Sequence, residues 1–244
     1  DAFVQDSRIV GKDESHFVGE AAKGLNFLRL VQQRYDVVAT NPPYLSNRKM
    51  NKRLAALMAE EYSAGKGDLY AGFIQRCIEL LAPQGLMGML TMHSFMFISK
   101  YEAHRTGLRG LISIQTMAHF GGGLFAVGNP GTLQTTAFVF KKQPDAKRRD
   151  AGVGVYFRLV KERDAEAKRL AFESAIAAHR ADKSHPQVFT CAQTAFDTIP
   201  DHPWVYWISG PLRTAFTRFD SMKTVAEARQ GLATTYNKRY LRAW

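Results

Sequence analysis

Four consecutive residues, Asn41-Pro42-Pro43-Tyr44, bring together groups suited to a flat molecule that carries an amino group. Two prolines in a row cannot continue a strand or sit inside a helix. Each also pushes the residue before it into an extended or turn conformation, so the chain must corner stiffly here. Neither proline has a backbone N–H, so the carbonyls of Asn41 and Pro42 have no competing donor beside them. The Asn41 side chain adds a further acceptor, and Tyr44 adds an aromatic face. An exocyclic aromatic amine is a poor nucleophile because its lone pair is delocalised into the ring. Acceptors for both of its N–H groups draw the nitrogen toward tetrahedral geometry and free that lone pair for in-line attack on an electrophilic methyl group. Preorganised polar groups of this kind are worth on the order of 10²–10³ in rate. The chemistry requires neither a metal nor a strong base.

The elements around the corner place it at a strand end. "YDVVAT", residues 35–40, runs straight into it and reads as a short buried strand. In open parallel sheets, ligands bind at the carboxyl ends of the strands. Past the corner, "LSNRKMNKRLAALMAEEYSAGKG" can be helical in its middle, and Gly65 and Gly67 end it. Asp68 can cap the next helix, on which Leu69, Phe73, Ile74, Cys77, Leu80 and Leu81 share one face. Pro83 and Gly85 stop that helix. "GLMGMLTM" is a second buried strand, followed by a helix near 99–111, a strand "ISIQTMAHF", a Gly-rich loop and a strand "TTAFVFKK". Strands alternating with helices predict an open, largely parallel α/β sheet. "QPDAKRRDAG" reads as a linker and "GVGVYFRLV" as a strand. "KERDAEAKRLAFESAIAAHRADK" reads as a charged helix with a solvated face. Upstream, "EAAKGLNFLRLVQQRY" has helical spacing at Leu25, Leu28 and Val31.

These motifs carry a resemblance. "NPPY" after an apolar strand resembles the signature of amino-methyltransferases that use S-adenosylmethionine. "YDVVATNPPYLSNRKMN", "DLYAGFI", "TMHSFMFISKYEAHR" and "LQTTAFVFKK" are together similar to the adenine-N6 DNA methyltransferases of the BREX PglX and type IIG restriction–modification family. The resemblance is strong over residues 35–142. It continues through "YWISGPLRTAF" and "RQGLATTYNKRYLRAW", which resemble the entry to those enzymes' target-recognition region.

That resemblance implies the C-terminal half of a Rossmann-like catalytic domain, mostly parallel with its last strand antiparallel, over residues 1–145. A linker strand and charged helix follow over 146–186, and the beginning of a DNA target-recognition domain over 187–244. It implies that Asn41, Pro42, Pro43 and Tyr44 hold a flipped adenine, with Tyr44 and Phe125 stacking on it. Phe73, with Asp68 and Asn41, would meet the cofactor, S-adenosylmethionine. The family's Gly-rich cofactor loop is not found before Asp36, nor is its acidic ribose-binding residue. "GGG" at 121–123 comes too late and precedes no helix. "TTYN" at 234–237 stands where relatives carry a Gly-Asp pair before the Asn. The chain starts without Met, so both ends are expected to be cuts in a longer protein, and this stretch alone is expected not to turn over.

Composition bounds the partners. The 244 residues are 45% hydrophobic and 23% charged, an ordinary globular mix, and carry a formal charge of +11. Such a charge favours a polyanion, because bound Lys and Arg release phosphate counterions. Arg48, Lys49, Lys52 and Arg53 follow the corner directly. Lys238, Arg239 and Arg242 alternate with Tyr236, Tyr240 and Trp244 as a second DNA-contacting candidate. The expected partner is double-stranded DNA with its target base flipped out, with other defence-system proteins as candidates and no membrane. Cys77 and Cys191 form no metal-binding spacing and suit a reducing cytoplasm. The histidines, His93, His104 and His119 among them, read as structural or surface groups. Two alternatives stay open. One is a DNA-binding module without chemistry; the other is an amino-methyltransferase for ribosomal RNA guanine or a release-factor glutamine.

Overall fold

A computed structural model describes residues 12–126 and 133–221, with residues 224 and 226, and side chains from residue 19 onward. Helix α1 (Lys12–Gln32) leads into strand β1 (Tyr35–Thr40). After the corner come α2 (Lys52–Glu60), α3 (Leu69–Leu80) and the long strand β2 (Leu81–Met92). Then follow α4 (Glu102–Arg109), β3 (Ile112–Gly121) and β4 (Thr135–Lys142). The chain goes on through α5 (Ala146–Asp150), β5 (Val153–Arg158), α6 (Ala165–Arg180), β6 (Val188–Ala192) and α7 (Gly210–Arg218).

The strands form one sheet in the order β1-β2-β4-β3-β5-β6. β1 pairs parallel with β2, and β3 parallel with β5. β4 inserts antiparallel between β2 and β3, and β6 is antiparallel to β5. β1, β2, β3 and β5 therefore share one direction and end together at Thr40, Met92, Gly121 and Arg158. The α/β class is as expected, with β4 the antiparallel last strand of the first part. β5 and β6 carry the same sheet past residues 145 and 186, where the sequence suggests divisions.

One face of the sheet builds the main core. Met87 and Met89 of β2, Ile114 and Met117 of β3, and Phe138 and Phe140 of β4 are fully or almost fully buried. They meet Tyr70, Ile74, Cys77 and Ile78 of α3 on one side and Phe196, Trp204 and Tyr206 on the other. On α3 the buried face is set by these residues, so Leu69 and Phe73 lie at its margin, half-buried. Asp68 caps α3 as expected.

Three expectations are corrected. β1 forms where predicted but is not buried: it is an edge strand among the described residues, and Val37 is 64% exposed. A short β-branched run reads the same whether or not a neighbour covers it. The expected linker at 143–152 contains α5, capped by Asp145, and begins with the buried Gln143. Finally, α6 is more than a solvated face. Its Phe172, Ala175 and Ile176 pack on Ala118 and Phe157 across the second face of the sheet. Lys168 is 1% exposed, its ammonium donating to the carbonyls of Phe120, Leu159 and Glu162.

Candidate active site at the carboxyl end of the sheet

The corner leaves β1 at Thr40, paired with Met89 of β2, and folds back over the neighbouring strand. Pro42 is buried, whereas Asn41 and Pro43 are exposed and Tyr44 is half-buried. The Tyr44 hydroxyl lies 3.2 Å from the Leu90 carbonyl and 3.4 Å from Asn41 Oδ1, and can donate to either. Its ring meets Tyr70 edge-on, with centroids 6.3 Å apart. Burial pushes the Tyr44 phenol above its ordinary pKa, so it stays protonated and a donor at neutral pH. The Tyr44 ring is thus fixed from beneath and from one edge, while Asn41 projects outward.

Asp68 explains why the loop stays in place. Its Oδ1 accepts the Leu45 N–H at 3.0 Å and the Tyr70 N–H at 3.4 Å, joining the corner to the start of α3. Backbone bonds Leu69 N–H to Leu45 O and Asn47 N–H to Gly67 O complete the clasp. Burial raises the Asp68 pKa and these N–H groups oppose the rise. Oδ1 is committed to holding the corner, a role the sequence shows only as a helix cap.

The other candidates divide. Phe73, half-buried on α3, packs against the main core. Arg48 and Lys49 lie on a 3₁₀ turn, and Lys52 and Arg53 open α2, whose cap Asn51 accepts the Leu54 N–H at 2.9 Å. All four are exposed, and none pairs with a carboxylate among the described residues. Phe125 lies in the loop after β3, partly exposed, with no ring contact to Tyr44 among the described residues. Gly123 in that loop has φ +78°, and a Cβ there would collide with the Arg163 carbonyl. Lys238, Arg239 and Arg242, with Tyr236, Tyr240 and Trp244, lie outside the described residues.

Sequence reasoning missed one cluster at the same end of the sheet. His93, directly after β2, places Nδ1 2.7 Å from His119 Nε2, and His119 Nδ1 lies 3.1 Å from the Tyr206 hydroxyl. Phe97 and Trp207 close around this pair of histidines. Arg158 lies over Trp207, 4.5 Å from the ring centroid. Burial lowers the pKa of both histidines, that of His119 to about 3, so both are neutral near pH 7. The partners come from residues 93, 119 and 206, too far apart in sequence for spacing to reveal them.

Among the described residues no group of His, Cys, Asp or Glu could hold a metal ion. No helix there is long and apolar enough to cross a membrane. Cys77 and Cys191 are free and buried.

Comparisons with known proteins find relatives in sequence and in fold. The Eco57I restriction-modification methylase family model matches residues 9–125. The chain is 32% identical over 218 residues to the adenine-specific methyltransferase PglX of Lacticaseibacillus casei (strain Zhang), covering 88% of this chain and 17% of that protein. It is 30% identical over 217 residues to the adenine-specific methyltransferase BrxX of Escherichia coli O9:H4 (strain HS), with the same two coverages. The chain thus spans about one sixth of the length of these relatives. Among solved structures, the ATP-dependent Type ISP restriction-modification enzyme LlaBIII bound to DNA superposes with a TM-score of 0.53 at 14% identity, over 84% of this chain and 14% of that one.

Proposed function

We propose that this chain is part of an Eco57I-type restriction-modification methylase, whose family model matches residues 9–125, and that the intact gene product transfers a methyl group from S-adenosylmethionine to the N6 amino group of adenine in DNA. The observation that carries this reading is the Asn41–Tyr44 corner, fixed at the carboxyl end of β1 with Asn41 outward and Tyr44 tethered to Leu90. Asn41 Oδ1 and the Pro42 carbonyl accept the two N–H hydrogens of the amine, and the Tyr44 ring stacks on the base. When bound, S-adenosylmethionine supplies an electrophilic methyl group. The half-buried Phe73 ring is available to pack against a planar group, whereas Asp68 acts on the cofactor side chiefly by holding the corner. Phe125 forms the second wall if its loop folds over the base.

An adenine inside a duplex hides its amino group, so the base must leave the stack. Arg48, Lys49, Lys52 and Arg53, without a carboxylate partner among the described residues, stand beside the corner and suit the backbone of the distorted strand. They favour a nucleic acid over a release-factor glutamine, as do the PglX and BrxX relatives. Target recognition would begin within residues 187–244, with Lys238, Arg239 and Arg242 as candidate DNA contacts.

The test is to supply the intact gene product with labelled S-adenosylmethionine and equal masses of DNA, ribosomal RNA and release factor, then digest to nucleosides and amino acids. Label in N6-methyladenine from DNA is expected. Label confined to methylguanine or methylglutamine would overturn the DNA assignment. Salt-sensitive DNA binding without any label would leave a binding module instead.

A further inference from the structure

The His93–His119–Tyr206 chain has a direction that its hydrogen-bond geometry decides. Tyr206 is 3% exposed, and its hydroxyl has no acceptor other than His119 Nδ1 among the described residues. If His119 Nδ1 carried the proton, the phenol hydrogen would be buried without a partner, which costs about 1–3 kcal/mol. Tyr206 therefore donates to His119 Nδ1. A neutral His119 then carries its proton on Nε2 and donates it to His93 Nδ1, 2.7 Å away. A neutral His93, its Nδ1 accepting, must hold its own proton on Nε2. The chain ends in an N–H donor at the carboxyl end of β2.

The donor follows β2 at the end of the sheet where the corner leaves β1. His93 is only half-buried, and no partner for Nε2 is found among the described residues. The His93 backbone N–H is pinned to the Gln134 carbonyl at 2.8 Å, and Phe97 and Trp207 pack about its ring and that of His119. Leu90, whose carbonyl holds the Tyr44 hydroxyl, lies three residues earlier, about 10 Å along an extended chain. That separation accommodates a purine ring plus one hydrogen bond of about 3 Å.

We propose that His93 is a specificity-determining residue whose Nε2–H donates to a ring nitrogen of the flipped adenine flanking its amino group, N1 or N7. His119 and Tyr206 are positioning residues that fix its tautomer. This rests on the adenine methylation proposed above. Both nitrogens accept in adenine, whereas N1 of guanine carries a proton, so a donor placed at N1 also rejects guanine. A donor that the bound base shields from water discriminates strongly when its acceptor is missing, because it stays unpaired in the complex.

The test uses the intact gene product and duplexes carrying its methylated site with adenine, 1-deazaadenine or 7-deazaadenine at the target position. Wild type should lose at least tenfold in kcat/KM on one of the two analogues. His93→Phe should be slower on adenine but lose less than threefold on either analogue. His93→Gln, which keeps an N–H donor, should recover part of the discrimination. Tyr206→Phe should weaken it while leaving the thermal midpoint within a few degrees. Wild type indifferent to both analogues, or His93→Phe discriminating as wild type does, would overturn the proposal. Failure of wild type to methylate adenine itself would remove the activity on which it rests, and the proposal would fall for that separate reason.

Discussion

Tyr44 has two separable roles, because its ring and its hydroxyl meet different partners. The hydroxyl anchors the corner through Leu90 and Asn41, and the ring is the surface that the proposed function gives to the base. Tyr44→Phe keeps the ring and removes one hydrogen bond worth about 1 kcal/mol. A fall in kcat/KM of roughly fivefold is expected in steady-state methylation assays. Tyr44→Ala also removes stacking, worth about 1–3 kcal/mol per base, and should cost a further tenfold or more. Equal effects of the two substitutions would show that the ring does not stack. At this scale the sequence was most informative. A Pro-Pro pair after an apolar strand admits few conformations, so the location of the corner could be read from residues 35–44 alone. The clasp through Asp68 could not, since a cap and a long-range anchor use the same carboxylate.

Helices and strands were legible wherever their periodicity was local, as in α3 and α6. Their surroundings were less so, because burial depends on what packs from elsewhere in the chain. The β-branched run of β1 predicts burial, yet β1 is an edge strand among the described residues; the charge of α6 predicts a solvated helix, yet its Phe172, Ala175 and Ile176 pack on the second face of the sheet. The connection after β2 makes the same point. Arg105 is 1% exposed, and its guanidinium donates to the carbonyls of Phe95, Ile98, Asp201 and His202. It staples the turn after β2 to the segment that delivers Trp204 and Tyr206 into the core. Arg105→Leu leaves those carbonyls without their donor and should destabilise the protein by on the order of 3–5 kcal/mol. Denaturant unfolding measures this; a loss below 1 kcal/mol would show that the segment is held by its aromatic packing alone.

At the scale of the whole molecule, a single sheet among the described residues joins the Asn41–Tyr44 corner to the segment that carries Trp204 and Tyr206. His104 lies in this shared core, 1% exposed, with neither ring nitrogen partnered among the described residues, and burial lowers its pKa to about 4. The stability that depends on its neutral form is complete above the unfolded value near 6.5 and is lost as pH falls toward 4. At pH 5 the loss is about 2 kcal/mol. His104→Leu should reduce the difference in unfolding midpoint between pH 7 and pH 5; an unchanged difference would place the acid sensitivity elsewhere. Val37 and Leu86, exposed beside the β1 edge of the described sheet, offer a surface on which further packing could build. The central claim nevertheless concerns Asn41, and the most direct measurement is the single-turnover rate of methyl transfer to DNA by the intact gene product and its Asn41→Ala variant, at saturating DNA and cofactor. The expected result is a rate lower by on the order of 10²–10³ with DNA affinity unchanged within threefold. A variant that transfers methyl groups at the wild-type rate would show that the corner does not activate the amine.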